Sequence, residues 1–243
     1  MRCPWALWAL LLGASVSRTA AAEVHVLETE IKGQPVAVGL YGFASPRFSF
    51  QEQDKRETVQ FTPNPAFTLF RSRLGVTASL SHRAELRFEL EMGKDFTQGM
   101  DAYIEGAPLV DKMATVSIRL GQFRVPFSRQ NLTSSGSLQL PDPAYFATSK
   151  YVVDRDIGAM VIGRFWEDRI RLSAGVFNGN EPGRGQTLNT DGSFLWAGRL
   201  EVSPFGTPPA HEGDLRDEKA RRKPAVVVGG GAMWNTQEDK HYD

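Results

Sequence analysis

Residues 82–93 read HRAELRFELEMG, and their spacing decides the fold class. Charged side chains stand at every second position (Arg83, Glu85, Arg87, Glu89, Glu91), with Ala84, Leu86, Phe88, Leu90 and Met92 between them. On a helix those charges would wrap the whole circumference and leave no apolar stripe. On a strand, where side chains alternate between two faces, the same residues separate into one hydrocarbon face and one ionic face. The stretch predicts a β-strand set between an apolar medium and an aqueous one.

The alternation recurs along the chain. In FRSRLGVTASL, Phe70, Ser72, Leu74, Val76, Ala78 and Leu80 share one face, and Arg71, Arg73, Gly75, Thr77 and Ser79 share the other. In MATVSIRLG, Ala114, Val116, Ile118 and Leu120 oppose Thr115, Ser117, Arg119 and Gly121. RIRLSAGV sets Ile170, Leu172, Ala174 and Val176 against Arg169, Arg171, Ser173 and Gly175. SFLWAGRLEV sets Phe194, Trp196, Leu200 and Val202 against Ser193, Ala197, Arg199 and Glu201. Weaker alternation covers residues 36–43, 100–107, 156–165 and 225–234. Together these segments predict about nine strands and no amphipathic helix.

Composition narrows the class. Among 243 residues, 28 Lys and Arg balance 28 Asp and Glu, a neutrality that argues against a nucleic-acid partner. Residues 1–22 have the layout of a secretory signal: Arg2, then the apolar run WALWALLLGASV, then an A-x-A site ending at Ala22. Removing them takes away Cys3, the chain's one cysteine, so the exported remainder, residues 23–243, has no thiol with which to build disulfides. No other stretch is long and apolar enough for a membrane helix, which leaves spanning β-strands open, since these are only half apolar.

Connector lengths alternate as well. The turns LSHR, APLVDK and WEDR are short, whereas residues 45–66, 93–99, 123–155 and 178–193 form longer connections on the opposite side. Short turns at one end and long loops at the other characterise outer-membrane barrels. The exception is the Pro-rich, charged connection at 203–224, on the short-turn side. Segment 123–155 is long for a loop and rich in aromatic and apolar residues, so it is expected to fold against or into the barrel.

Two readings of the strands stay open at this point. In a soluble β-sandwich the apolar faces meet in a core and the polar faces meet bulk water. In a membrane barrel the apolar faces meet lipid and the polar faces line a lumen. On the second reading the polar faces carry Arg71, Arg73, Arg83, Arg87, Arg119, Arg169, Arg171 and Arg199 against Glu85, Glu89, Glu91, Asp101, Glu105 and Glu201. Arginine's planar fork suits oxyanions, although Arg and Glu on neighbouring strands also pair simply to stiffen a wall. Signs of catalysis are poor: H-E-x-x-H, G-x-S-x-G and a P-loop are all absent, and His25, His82, His211 and His241 are scattered. The glycines of VVVGGGAMWN follow an apolar strand, but Trp234 replaces the third glycine of a dinucleotide fingerprint. Asp154 and Asp156 in VDRD can be read as paired acids, but are better read as marking the end of a loop. No enzyme activity and no cofactor or metal is expected.

From RLGQFRVPFSRQNLTSSGSLQL onward the chain resembles the phosphate-selective porin O and P family, continuing through DRDIGAMVIGRFW, LSAGVFNGN and RLEVSPFG. Upstream, FRSRLGVTASLSHRAELRFELEMGKDF and DAYIEGAP fit as well, so the resemblance covers most of residues 66–234. It implies an antiparallel transmembrane β-barrel of the bacterial outer membrane, sixteen-stranded and usually trimeric, with an inward-folded third loop. It also implies passive diffusion of small inorganic anions, phosphate or polyphosphate among them. By position, Arg124 and Arg129 flank the VPFS element, Ser134 and Ser135 offer hydroxyls to an anion, and Arg71 and Arg73 sit in the arginine-bearing strand. With Arg83, Arg87 and Arg119 these residues make up the expected anion pathway. Asp142, Asp154 and the three glutamates of 82–93 depart from a purely basic lining. The visible strands fall short of sixteen and the chain ends TQEDKHYD, so an N-terminal portion of a porin is expected. The alternative is a secreted β-sandwich or small barrel with a binding or structural role in the envelope.

Overall fold

A computed structural model describes residues 22–31, 34–49, 66–93, 96–138, 144, 152–179, 189, 192–206 and 226–235. Residues 1–21 of the expected signal sequence, most of the 203–224 connection, Asp142 and the final TQEDKHYD lie outside the described residues, whereas Ala22 opens the first strand. The described strands form one antiparallel sheet. Its strands are β1 (Ala22–Ile31), β2 (Gln34–Ser49), β3 (Ala66–Leu80), β4 (Ala84–Gly93), β5 (Phe96–Val110), β6 (Ala114–Arg124), β7 (Arg155–Phe165), β8 (Ile170–Phe177), β9 (Leu195–Phe205) and β10 (Val226–Asn235). Each strand pairs with its neighbour in sequence, β1 through β10, an up-and-down meander. The alternation therefore predicts the right fold class.

The faces are inverted relative to a water-soluble protein. Leu74, Phe88, Leu120, Leu172 and Trp196 are exposed on one side, Trp196 by 58%. On the other side Arg73 is 5% exposed, Glu89 4% and Asp156 1%. No second sheet covers the apolar face among the described residues, since all ten strands belong to one sheet. A sandwich core would need a facing sheet about 10 Å away, so the sandwich reading finds no support in the fold.

Among the described residues ten strands form where the alternation marks about nine. The extra one is β1, AEVHVLETEI, whose register against β2 shifts between His25 and Leu27. A bulge inserts one residue and reverses the phase of alternation, so Val24 and Val26 fall out of step with Leu27, Thr29 and Ile31. β2 and β3 also extend further than expected, which narrows the 45–66 connection. Pro46 reads as a strand breaker, yet the β2–β3 register shifts there, pairing Ser45 with Arg71 and Pro46 with Leu69. Bulges are where a strand tolerates proline.

The segment after β6 turns back over the polar face. Phe127 lies against Arg199 of β9 and Gly231 of β10, while Gly136 lies against Phe43 of β2. In a flat sheet β2 and β10 would stand about 38 Å apart, at about 4.8 Å per strand step. Nine residues of fully extended chain span at most about 32 Å, and a helical turn in between makes the reach shorter still. The sheet therefore curls, and the loop crosses its concave face. A small apolar cluster, Tyr103, Phe123, Val125, Met160, Phe177 and Leu195, forms the buried core beneath this crossing. Its rings meet edge to face: Phe123 lies 6.1 Å from Tyr103 and 5.4 Å from Phe177.

Candidate functional site: an arginine-lined cavity

The crossing loop is braced from within. Ser128 caps the short helix α1 (Arg129–Leu132), its hydroxyl accepting from the Asn131 amide at 3.0 Å. The Asn131 side chain, buried, donates to the Val125 and Val153 carbonyls at 3.2 and 3.4 Å. Arg124 donates through one nitrogen to the carbonyls of Asn131 and Thr133. Val125 is fully buried and Pro126 nearly so. These contacts turn VPFSRQNLT into a compact bridge. The sequence signals no helix here, and four residues are too few to show a 3.6-residue period.

Beneath the bridge lies a cavity of about 360 Å³. Residues of eight strands reach it: Arg73, Arg87, Glu89, Asp101, Tyr103, Arg119, Phe123, Arg124, Arg155, Arg171, Glu201 and Val227, with Arg129, Leu132, Thr133 and Ser134 from the loop. Seven of these are arginines and three are carboxylates. Strand periodicity puts Arg73, Arg87, Arg119 and Arg171 there, whereas Arg124 and Arg155, paired at the ends of β6 and β7, stand one step out of the inward register and reach the cavity where the strands meet the loop.

Most of the charge is networked. Arg73 pairs with Glu89 at 3.2 Å and with Glu91 at 3.0 Å. Arg155 pairs with Asp101 at 2.7 Å and Asp154 at 2.6 Å, and stands 3.8 Å from Glu89. Arg119 meets Glu105 at 2.6 Å while its guanidinium lies 4.2 Å from the Tyr103 ring centre. Arg87 Nε donates to Tyr41 Oη at 2.8 Å, and that hydroxyl donates to Glu89 Oε2 at 2.9 Å. Such pairs hold guanidinium planes at fixed angles. Arg171 adds a buried Nε–H with no partner, although its outer nitrogen meets Asp168 at 3.3 Å.

The structure sorts the expected pathway residues. Arg73, Arg87, Arg119, Arg124, Arg129 and Ser134 converge on the cavity. Arg71 is half-buried on the same strand, opposite Ser45. Ser135 is half-buried in the 3₁₀ turn Ser135–Ser137 and is not among the lining residues. Arg83 sits in the exposed 3₁₀ turn Ser81–Arg83 rather than in β4. There Ser81 takes a left-handed φ of 67° and its hydroxyl accepts from the Arg83 amide, which delays the strand until Ala84.

Arg155 is the residue that sequence reasoning missed. It opens β7 inside VDRD, where the flanking acids read as the end of a loop. A lone arginine between two aspartates is the signal that could have found it. Asp156 does close the loop: its carboxylate accepts from the Ile157 and Gly179 amides.

A curled antiparallel meander, apolar outside and ionic within, bridged by an inward loop, defines a porin-type β-barrel protein. Residues 44–227 match the family model of phosphate-selective porin O and P, and the chain belongs to that family. The family is one of outer-membrane channels and not of enzymes. No curated protein and no solved structure shows significant similarity to the chain.

Proposed function

We propose that the chain is a pore of the bacterial outer membrane through which small anions, phosphate or polyphosphate among them, diffuse passively. On this reading residues 1–22 direct export, residues 23–243 belong to the barrel, and the apolar face meets lipid. The observation that carries it is the convergence of seven arginines and a loop hydroxyl on one cavity inside the curl of the sheet. An anion entering would exchange part of its hydration shell for guanidinium and hydroxyl donors. Binding at successive stations would be weak enough for release, because most of these arginines already share their charge with a carboxylate. Arg73, Arg87 and Arg119 serve as wall, and Arg124, Arg129 and Ser134 as the narrow part under the bridge.

The test is the reversal potential of the refolded chain in a planar bilayer under a salt gradient. Stable conductance steps with an anion-selective potential support the reading. Steps with no anion preference remove the role given to the arginines, and recovery of the chain from a periplasmic extract without detergent removes the pore.

A further inference from the structure

The glycine run of VVVGGGAMWN, which makes no dinucleotide site, lies in β10 against the crossing loop. Gly231 stands directly opposite Arg199 in the β9–β10 pairing, and both meet the same atom, the carbonyl oxygen of Phe127. Arg199 Nη1 donates to it at 2.9 Å. The guanidinium is held from its other edge by Glu201, through Nε at 3.1 Å and Nη2 at 2.6 Å. A Cβ on Gly231 would fall 2.1 Å from that oxygen and 2.9 Å from its carbon, and backbone cannot yield as a flexible side chain does. On Gly229 a Cβ would fall 3.0 Å from Arg199 Nη2 and 3.1 Å from Glu201 Cγ. Gly230, between them, has open space around its missing side chain. The bareness of 229 and 231 thus has a use that the glycine between them does not share.

We infer that Gly229, Gly231 and Arg199 form a seat for the Phe127 carbonyl, and that this seat fixes how far the bridge reaches across the lumen. These are positioning residues for anion passage, a role that rests on the pore reading. Phe127 adjoins Ser128, the cap of α1, so a shift at the seat would carry Arg129, Thr133 and Ser134 with it. The seat would set the width of the narrow part and the placement of its charges without touching the anion.

The test uses the full chain refolded in detergent and in bilayers, as Gly231→Val, Gly231→Ala, Arg199→Gln and Arg199→Lys, with Gly230→Val as control. Trypsin cleavage after Arg129, followed by mass spectrometry, reads loop release directly. Losing one hydrogen bond to a charged donor should speed it by roughly tenfold in Arg199→Gln and at least as much in Gly231→Val. Arg199→Lys and Gly230→Val should stay near the parent rate. Equal rates in all variants overturn the seat; if Gly231→Val does not fold, Gly231→Ala and Arg199→Gln decide. In bilayers the released variants should show higher single-channel conductance and weaker anion preference. Faster cleavage with unchanged conductance overturns the positioning role. A parent chain that does not conduct removes the pore reading instead, and the cleavage rates still decide the seat.

Discussion

Arg155 Nε donates to Asp101 Oδ1 at 2.7 Å, tying the first residue of β7 to the middle of β5 across 54 positions of sequence. The same guanidinium reaches Asp154 and Glu89, so one side chain gathers three carboxylates from the loop end, β4 and β5. Arg155 and Glu89 are both more than nine-tenths buried. Removing the arginine would leave Asp101 and Glu89 facing each other with less compensation. Arg155→Ala is expected to destabilise the folded chain by about 3–5 kcal/mol, the usual cost of orphaning a buried partner. Urea unfolding in detergent micelles measures this. A change within 1 kcal/mol, by the same principle, would show that water and Arg73 already neutralise the acids.

Arg124 and Arg83 provide a contrast in position. Arg124 lies under the bridge and lines the cavity, whereas Arg83 sits in an exposed turn at the opposite end of its strand pair. Neutralising Arg124 to Gln should lower the anion-to-cation permeability ratio roughly fivefold, as for loss of about 1 kcal/mol from one unit charge at contact in water. Arg83→Gln should leave the ratio unchanged, and the Arg124 effect should shrink at high salt. Reversal potentials at two ionic strengths check both. Equal effects at the two positions would mean that the bulk field of the barrel, not the bridge, selects.

Gly75 and Tyr41 face each other across the β2–β3 pairing. A Cβ on Gly75 would enter the Tyr41 ring, with its nearest atom 2.2 Å away. Displacing the ring would break the relay from Arg87 through the Tyr41 hydroxyl to Glu89. Gly75→Ala is therefore expected to cost about 1–3 kcal/mol as an overpacking change, and to weaken anion preference through Arg87. Gly106→Ala, where nothing lies within 4 Å, serves as the neutral comparison in the same unfolding measurement.

The alternation in β3, β4, β6, β8 and β9 was legible because a period of two survives along each strand and one-residue slips would exchange faces. β1 was not, because its bulge reverses the phase halfway. Arg73, Arg87 and Arg119 could be placed on the polar face from spacing alone. Their meeting in one cavity could not, since it depends on the curl of the sheet and on the bridge lying across it. Arg155 and Arg199 were the hardest to assign. Each acts through a contact far away in sequence: Arg155 with Asp101, and Arg199 with the Phe127 carbonyl 72 residues earlier.

The inverted faces give the last prediction. Leu120 is 49% exposed on the apolar face in the middle of β6, and Ser173 is half-buried on the polar face of β8. If the apolar face meets lipid, Leu120→Arg should cost about 2–4 kcal/mol near the bilayer midplane, because the charge must leave water or deform the membrane. Ser173→Arg places the same side chain toward water beside Arg199, its cross-strand neighbour. It should fold within about 1 kcal/mol of the parent, less any repulsion between two screened like charges. Refolding yields into lipid vesicles of graded thickness measure the difference. A soluble protein would tolerate Leu120→Arg on an exposed position with little change, so equal yields for the two variants would argue against a lipid-facing surface. A deficit for Leu120→Arg that grows with bilayer thickness would place that face in the hydrocarbon.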